Sequence, residues 1–340
     1  MANKTTIGDV AQEAEVSIST VSRVLNGHGA SAETRNRVMA AAEQLDYRPN
    51  MYARGIRSSR KNCMGILVEA SVGEDDPWLE RIVLSMAGTL SEADYGCMLD
   101  FWKKGSDDLP RVFDRVDGCM LLGNFPDSFF ERLDRHCDTP LVTYDEKMPY
   151  SHGVSLSVNW AEGMHQAVQY LLALNHRQIG LVVAGTQYPS LRARRDGYTE
   201  ALPHFGRSVD ESLIATSETM EDGGFHTARK LTHELLERRP EITAIVYGSD
   251  RMAFGGLEAI KASGRKIPED ISVIGFDDTN CGRSMIPPLT TVGVDYKKLS
   301  LVMLECLEVL SGERRVMPDG EIIPQLIKRR TVAPCENGAT

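Results

Sequence analysis

From residue 64 to about residue 310, short apolar runs alternate with amphipathic helical patterns, and this alternation limits the fold more than any other feature of the chain. The runs are MGILVEA (64–70), CMLDFW (97–102), GCMLLG (118–123), PLVTYD (140–145), IGLVVAG (179–185), AIVYGS (244–249) and ISVIGFDD (271–278). Each has strand length and is too continuously apolar for a sheet with one wet face. Between them lie the helical patterns WLERIVLSMAGTLSEA, SFFERLDRH, EGMHQAVQYLLAL, RDGYTEAL, GFHTARKLTHELLE and MAFGGLEAIKAS. Buried strands alternating with helices give parallel sheets with helices on both faces, an α/β class. The series divides near residue 160 into two similar halves, and PPLTTVGVDYKKLSLVMLECLEVL (287–310) is expected to cross back to the first.

The first 62 residues follow a different pattern. With Ser17 as N-cap, a helix over VSISTVSRVLN (16–26) carries Ile18, Ser19, Ser22 and Arg23 on one side and Thr20, Val21, Val24 and Leu25 on the other. The second side would pack. The first is small, polar and basic, and suits a major groove: an apolar side chain meets the thymine methyl, Ser bonds base edges or phosphates, and Arg pairs with guanine. The bland alternative is an ordinary amphipathic helix, so the surroundings decide. Upstream, TTIGDVAQEAEVS reads as a first helix, capped by Thr6 with Asp9 three positions on, its apolar face made by Ile7, Val10, Ala11 and Ala14. Only EAEV separates the two patterns, the length of a helix-turn-helix turn. After the break NGHG, a third helix starts at the cap Ser31 and turns Val38, Ala42 and Leu45 inward. Three short helices of this kind make a compact all-α DNA-binding headpiece.

Charge agrees. Residues 1–62 hold nine Lys and Arg against six acids, a balance of +3 inside a chain of net charge −10. Overall acidity does not argue against nucleic acid, because the positive field is local. RPNMYARGIRSSRK (48–61) has five bases and no acid, and reads as a phosphate-contacting segment; the alternative is a solvated basic linker.

The stretch VAQEAEVSISTVSRVLNG…SAETRNRVMAAAEQLDYRPN…AR resembles the headpiece and hinge of the lactose-repressor family of bacterial transcription regulators, and the resemblance continues to about residue 333. It implies three parts: a headpiece (1–48), a hinge helix and linker (49–61), and a two-lobed, periplasmic-binding-protein-like domain for effector binding and dimerisation (62–340). It implies double-stranded operator DNA, a small-molecule effector, most often a sugar, and a homodimer as partners. The second helix of each headpiece reads a half-site, and a hinge helix enters the minor groove. Carried onto this chain, Ile18 and Ser19 set base choice, with Arg23 and Asn26 beside them and Thr6, Ser17, Thr20 and Ser22 as phosphate contacts or caps. Asn50, Ala53, Arg54 and Ile56 belong to the hinge set, Ile56 replacing the usual Leu wedge. Glu15 stands where the turn usually has Gly; if the turn needs a positive φ, Glu is strained there.

In α/β sheets ligands bind beyond the carboxyl ends of the strands, so the cleft between the lobes is the expected site. Asp277, ending ISVIGFDD, resembles the family's ligand carboxylate, and Arg194, in R-x-x-G-Y with Gly197 and Tyr198, its ligand arginine. Ser249 stands where Asn is usual, with Asp250 expected to cap the following helix. Asp145 is a further candidate, and Trp78, beside Asp75 and Asp76, offers a face for a sugar ring or packs in the core. Thr219 and Met220 replace an aromatic often placed against the ligand, which counts against a purine or nucleoside effector. Asn159 stands where an acid is common, and only about ten residues (103–112) join two strand patterns of the first half, so part of a helix is missing there. Leu79, Ile82, Val83 and Met86 form a stripe that serves either a dimer seam or the core.

Other classes find less support. A sugar receptor without DNA function would fit the cleft, but the headpiece argues against it. The chain has no G-x-G-x-x-G after a strand, no G-x-x-x-x-G-K-[ST], no G-x-S-x-G and no H-E-x-x-H; HELLE (233–237) ends in Glu and reads as surface charge. An enzyme is therefore not expected, nor a cofactor or metal. The seven cysteines form no C-x-x-C pair and read as reduced thiols. With no apolar leader and no 18-residue apolar stretch, a cytoplasmic protein is expected. No heptad pattern follows residue 330, so a dimer is expected in preference to a tetramer.

Overall fold

The computed structural model describes residues 5–25, 29–47, 60–70, 77–106, 108–144, 148–220, 222–318 and 321–336. The chain divides into two compact units, Met1–Asn62 and Cys63–Thr340.

In the first unit, α1 (Ile7–Glu13), α2 (Ile18–Leu25) and α3 (Ala32–Gln44) follow the expected order. Thr6 and Asp9 close a reciprocal capping box: Asp9 N–H donates to Thr6 Oγ1 (3.3 Å) and Thr6 N–H to Asp9 Oδ2 (2.7 Å). The Thr6 N–H and the Thr6 hydroxyl, both donating to Asp9 Oδ2, hold the Asp9 carboxyl below the usual carboxylate range. Ser17 and Ser31 cap α2 and α3 by accepting from Thr20 N–H and Thr34 N–H. Val10, Ala11, Ala14, Val21, Val24, Val38, Ala41 and Ala42 form the core, with Ile7 and Leu45 at its margin. Small side chains let three short helices approach closely. Between α1 and α2 the backbone turns through Glu15 at φ 51°. The turn does require a positive φ, and an L-residue other than Gly occupies it.

The second unit carries two six-stranded sheets. The first has the order β11-β5-β4-β3-β1-β2, from β1 (Cys63–Glu69), β2 (Gly96–Trp102), β3 (Gly118–Leu122), β4 (Leu141–Tyr144), β5 (Gly153–Val158) and β11 (Glu321–Ile322). The second has the order β12-β10-β9-β8-β6-β7, from β6 (Ile179–Ala184), β7 (Ile214–Ser217), β8 (Ala244–Tyr247), β9 (Ser272–Phe276), β10 (Thr290–Gly293) and β12 (Gln325–Ile327). Strands pair in parallel except β12 on β10, and the two orders are equivalent, so the halves are similar in topology as well as in pattern. In each, the strand order reverses beside the first strand, between β1 and β3 and between β6 and β8, where such sheets form their crevice.

Helices α4 (Pro77–Glu92) and α5 (Asp127–His136) belong to the first lobe, and α6 (Trp160–Ala173), α7 (Pro189–His204), α8 (Phe225–Arg238), α9 (Asp250–Ala262) and α10 (Asn280–Ser284) to the second. The last helix, α11 (Tyr296–Leu310), returns to the first lobe and packs on α4, β3, β4 and β5. The segment 287–310 crosses back later than expected: residues 290–293 still pair within the second sheet as β10. Strands β7, β11 and β12 are absent from the sequence reading because they are two to four residues long, and β5 because it is partly polar and half exposed, their order coming from neighbours. Between β2 and β3 a single 3-10 turn, Arg111–Arg115, stands in place of a full helix, with Val112 and Phe113 buried beneath it.

The stripe considered for a dimer seam is core. Leu79, Ile82 and Met86 are buried against Met64, Ile66 and Val68 of β1, because that face of the sheet has to be covered. Val83 is half-buried at its edge, and Leu84 is left exposed. Among the described residues no helix is long and apolar enough to cross a membrane.

Candidate nucleic-acid face and candidate ligand cleft

On α2 the packing splits the side chains by face. Val21 and Val24 are buried; Ile18, Ser19 and Arg23 are exposed, as are Ser17 and Thr6, while Thr20 and Ser22 are half-buried. Ile18 is a large apolar side chain left 40% exposed. Ser17 Oγ lies 2.7 Å from Ser19 Oγ and 2.9 Å from Thr20 Oγ1, so three hydroxyls gather at the positively polarised start of the helix. That cluster has donors to offer phosphate or base edges. Asn26, Asn50, Ala53, Arg54, Ile56, Asp75, Asp76 and Asp145 lie outside the described residues.

In the second unit, three of the candidate ligand residues, Arg194, Ser249 and Asp277, meet at the carboxyl ends of β8 and β9. The R-x-x-G-Y motif explains how Arg194 gets there. A Cβ on Gly197 would stand 2.7 Å from Ala161 Cα, so α7 packs on α6 by backbone approach, and Tyr198 anchors it by donating to Ile179 O (2.7 Å). Arg194, one turn earlier, is buried with its guanidinium against the rings of Trp160 and Phe276, 4.2 and 4.6 Å from their centroids. It donates to Gly248 O (2.5 Å), and its Nη2 lies 3.1 Å from Asp277 Oδ1. Arg194 Nε and Asp277 Oδ1 are buried without an aligned hydrogen bond. Asp277 and Asp278 both hold positive φ, 101° and 52°, strain of the kind that collects at functional sites.

Asp278 is held by three arginines. Arg283 bonds both its carboxylate oxygens and Arg329 bonds Oδ1; Arg81, on α4 of the first lobe, places Nη1 2.9 Å from Oδ2. Arg81 also lies over the Tyr296 ring, and Tyr296 donates to Asp277 O (3.2 Å). Asp250 is fully buried below Asp277: Oδ2 accepts from Thr279 N–H (2.7 Å) and Oγ1 (2.9 Å), and Oδ1 from Thr291 Oγ1 (2.6 Å). Burial and the charge of Asp277 push Asp250 up to about 7 against those donors. Burial also raises Asp277, outweighing Arg194. Burial acts on Asp278 as well, but Arg283, Arg329 and Arg81 together hold it below the usual carboxylate range.

One expectation changes. Asp250 does not cap α9; Ser249 does, accepting from Met252 N–H (3.1 Å), while the Asp250 carboxyl turns into the core where three donors converge. Ser249 therefore stands at the cleft with its hydroxyl engaged as a cap. Trp78 is half-buried against the first-lobe core at the start of α4, one turn before Arg81. Asn159 caps α6 by accepting from Glu162 N–H and donates to Glu321 (3.0 Å). Met220 packs around Gly185 and Gly224 and presents no planar face. Sequence reasoning missed Arg81, Trp160, Phe276, Asp278 and Tyr296. The acid pair 277–278 and the spacing of Trp78 and Arg81 on one helix face are the signals that were there to read. In HELLE the charged residues are exposed, with His233 and Glu237 paired at 3.5 Å, while Leu235 and Leu236 are buried in the core. His176 is a core histidine satisfied by Thr243 Oγ1 and Ala333 O.

Residues 6–50 match the family model for bacterial regulatory proteins, lacI family, and residues 168–332 match the periplasmic binding protein-like domain. The chain is 30% identical over 338 residues to the HTH-type transcriptional repressor PurR of Vibrio campbellii, covering 96% of this chain and 98% of the relative. It is 31% identical over 325 residues to the HTH-type transcriptional regulator CelR of Thermobifida fusca, covering 91% and 92%. Its fold is similar to that of the Lac repressor dimer bound to operator and the anti-inducer ONPF, with TM-score 0.75 and 25% identity over 97% of this chain and 100% of that one. The chain belongs to the lacI family of bacterial regulatory proteins: it is a helix-turn-helix DNA-binding transcriptional regulator with a periplasmic-binding-protein-like domain.

Proposed function

We propose that this chain represses transcription in the cytoplasm by binding a near-palindromic operator as a homodimer, and that a sugar in the cleft between the lobes sets its DNA affinity. In this reading residues 1–48 read DNA, 49–61 form the hinge, and 62–340 bind the effector and dimerise. The observation that carries the effector reading is the buried Arg194–Asp277 ion pair at the strand ends, with Arg194 Nε left without a hydrogen-bond partner. Buried polar atoms seek partners, and a polyol supplies acceptors. A related structure, the transcriptional regulator CelR in complex with cellobiose, is a sugar complex and supports that chemistry.

The dimer is supported by the edge of the first lobe. β2 ends its sheet and leaves Cys97, Leu99 and Phe101 exposed on the α4 side, where Leu84 is also exposed. An apolar sheet edge of this kind is an aggregation hazard unless a partner covers it. Effector control requires that the ligand bind the two lobe arrangements with different affinity. The test is fluorescence anisotropy of operator DNA, selected from random duplexes, with and without a panel of sugars, purines and nucleosides. One sugar that shifts operator affinity supports the reading; a shift caused by a purine alone replaces the effector class.

A further inference from the structure

We propose that Arg81 and Asp278 form a tie between the two lobes, built on the same turn that carries Asp277, so that whatever engages Asp277 also sets the lobe arrangement. The link to regulation rests on the cleft being the effector site; the tie itself is testable without it.

Arg81 stands on α4, which covers the first sheet, and Asp278 follows β9 of the second. Arg81 Nη1 and Asp278 Oδ2 meet at 2.9 Å across the lobes, the two side chains 19% and 3% exposed. At the same place α4 touches α10, the short helix that follows Asp278. Asp278 is a fixed anchor. Arg283 and Arg329 hold its carboxylate from within the second lobe, and its N–H donates to Thr291 Oγ1 (3.4 Å). Arg81 is the member that comes from the other lobe. The attraction of an ion pair falls with distance and with the entry of water, so a lobe displacement of a few ångströms ends the pairing. The pair therefore favours one lobe arrangement over the others.

A second contact grips the same turn. Tyr296 opens α11, the helix that returns to the first lobe, and donates to Asp277 O (3.2 Å). The Arg81 guanidinium lies over its ring, 5.1 Å from the centroid. Asp277 thus turns its carboxylate to Arg194 and its carbonyl to Tyr296, while Asp278 turns its carboxylate to Arg81. Both residues hold positive φ, and the flanking amides are fixed, Asp277 N–H on Val292 O and Thr279 N–H on Asp250 Oδ2. A backbone held in a rare conformation from both sides has little freedom to absorb a shift locally, so Asp277 does not reorient without moving Asp278. A molecule that engages Asp277 acts on the tie, and by reciprocity the tie acts on the affinity for that molecule.

The test is hydrogen exchange on the full chain, with no small molecule added, in the natural protein and in Arg81→Gln. Loss of the tie is expected to speed exchange about tenfold in residues 79–84 of the first lobe and 277–283 of the second together, while β1 and β8 stay protected. Arg81→Lys, which keeps the charge, recovers part of the protection. Arg314→Gln, which removes an ion pair with Glu305 and Glu308 on α11, leaves both segments unchanged. Operator affinity on the selected duplex is expected to shift at least about threefold in Arg81→Gln and to return toward the natural value in Arg81→Lys. Faster exchange in residues 79–84 alone, or in neither segment, overturns the tie. Faster exchange on both sides with an unchanged operator affinity overturns its link to regulation. A tie that passes both tests in a protein whose operator affinity answers to no sugar, purine or nucleoside stands, and the cleft reading falls instead.

Discussion

Arg194 Nη2 and Asp277 Oδ1 stand 3.1 Å apart in the second lobe, both side chains buried, with the guanidinium packed against the rings of Trp160 and Phe276. The two rings pack on the guanidinium and hold it beside the carboxylate, leaving Arg194 Nε without a hydrogen-bond partner. Removing Arg194 strands a buried carboxylate, so Arg194→Ala is expected to cost about 3 kcal/mol in denaturant unfolding of the second unit. Asp277→Ala is expected to abolish the effector response in the anisotropy assay while operator binding persists. A variant that still responds fully takes Asp277 out of the site.

Ile18 and Ser19 are exposed on α2 while Val21 and Val24 are buried, so their side chains spend nothing on the headpiece core. Substituting either by Ala should change the preferred half-site at one or two base pairs, each contact being worth about 1–3 kcal/mol of discrimination. Selection of random duplexes before and after substitution reads this directly. An unchanged operator preference removes α2 as the reading helix.

Glu15 holds φ 51° in the turn between α1 and α2. A left-handed conformation costs an L-residue about 1–2 kcal/mol, and Gly escapes that cost at some loss of chain entropy. Glu15→Gly should therefore slow hydrogen exchange in α1 and α2 by roughly 0.5–1 kcal/mol of opening free energy. Faster exchange would show that the turn tolerates Glu through interactions that Gly lacks.

Asp250 is pushed up to about 7 by burial and by Asp277, whereas in the unfolded chain it titrates near about 3.9. Between about pH 4 and 7 the folded chain binds more protons, so this group's contribution to stability falls as pH rises through that window. Asn at this position does not titrate. The melting temperature of the natural chain, measured against Asp250→Asn, should drift downward by a few degrees from pH 4 to 7. A pH-independent difference would mean that Asp250 does not titrate in that range.

Leu99 and Phe101 are 46% and 49% exposed on the edge strand β2. If a second copy covers them, Leu99→Glu or Phe101→Glu places a charge in a buried apolar interface and should convert the dimer to monomer in light scattering at micromolar concentration. Operator affinity should fall with it, because two half-sites would no longer be read together. A dimer that survives both substitutions lies elsewhere on the surface.

How much of this was legible in the chain follows from the range of the interactions involved. Local pattern suffices for the headpiece. Its caps, Thr6, Ser17 and Ser31, act within three residues, and its core is an apolar spacing on three consecutive helices. The same holds for the main strands and helices of the two lobes, whose buried runs and stripes are sequence periods. Arg194 and Asp277 were also legible, through motifs that resemble a family's ligand residues. Tertiary structure alone decided the rest. Arg81 meets Asp278 across nearly two hundred residues of chain, and nothing near either residue encodes the other. Asp250 became a core carboxylate rather than a helix cap because Thr279 and Thr291 arrive from other segments to satisfy it, leaving the cap to Ser249. Strands β5, β7, β11 and β12, partly polar or very short, take their pairing from neighbours already in place. The sequence by itself determined what folds locally and which surfaces are apolar; which distant charges meet, and which polar atoms remain unmatched in the cleft, depended on packing, because a buried charge is stabilised by whichever partners the whole fold brings to it.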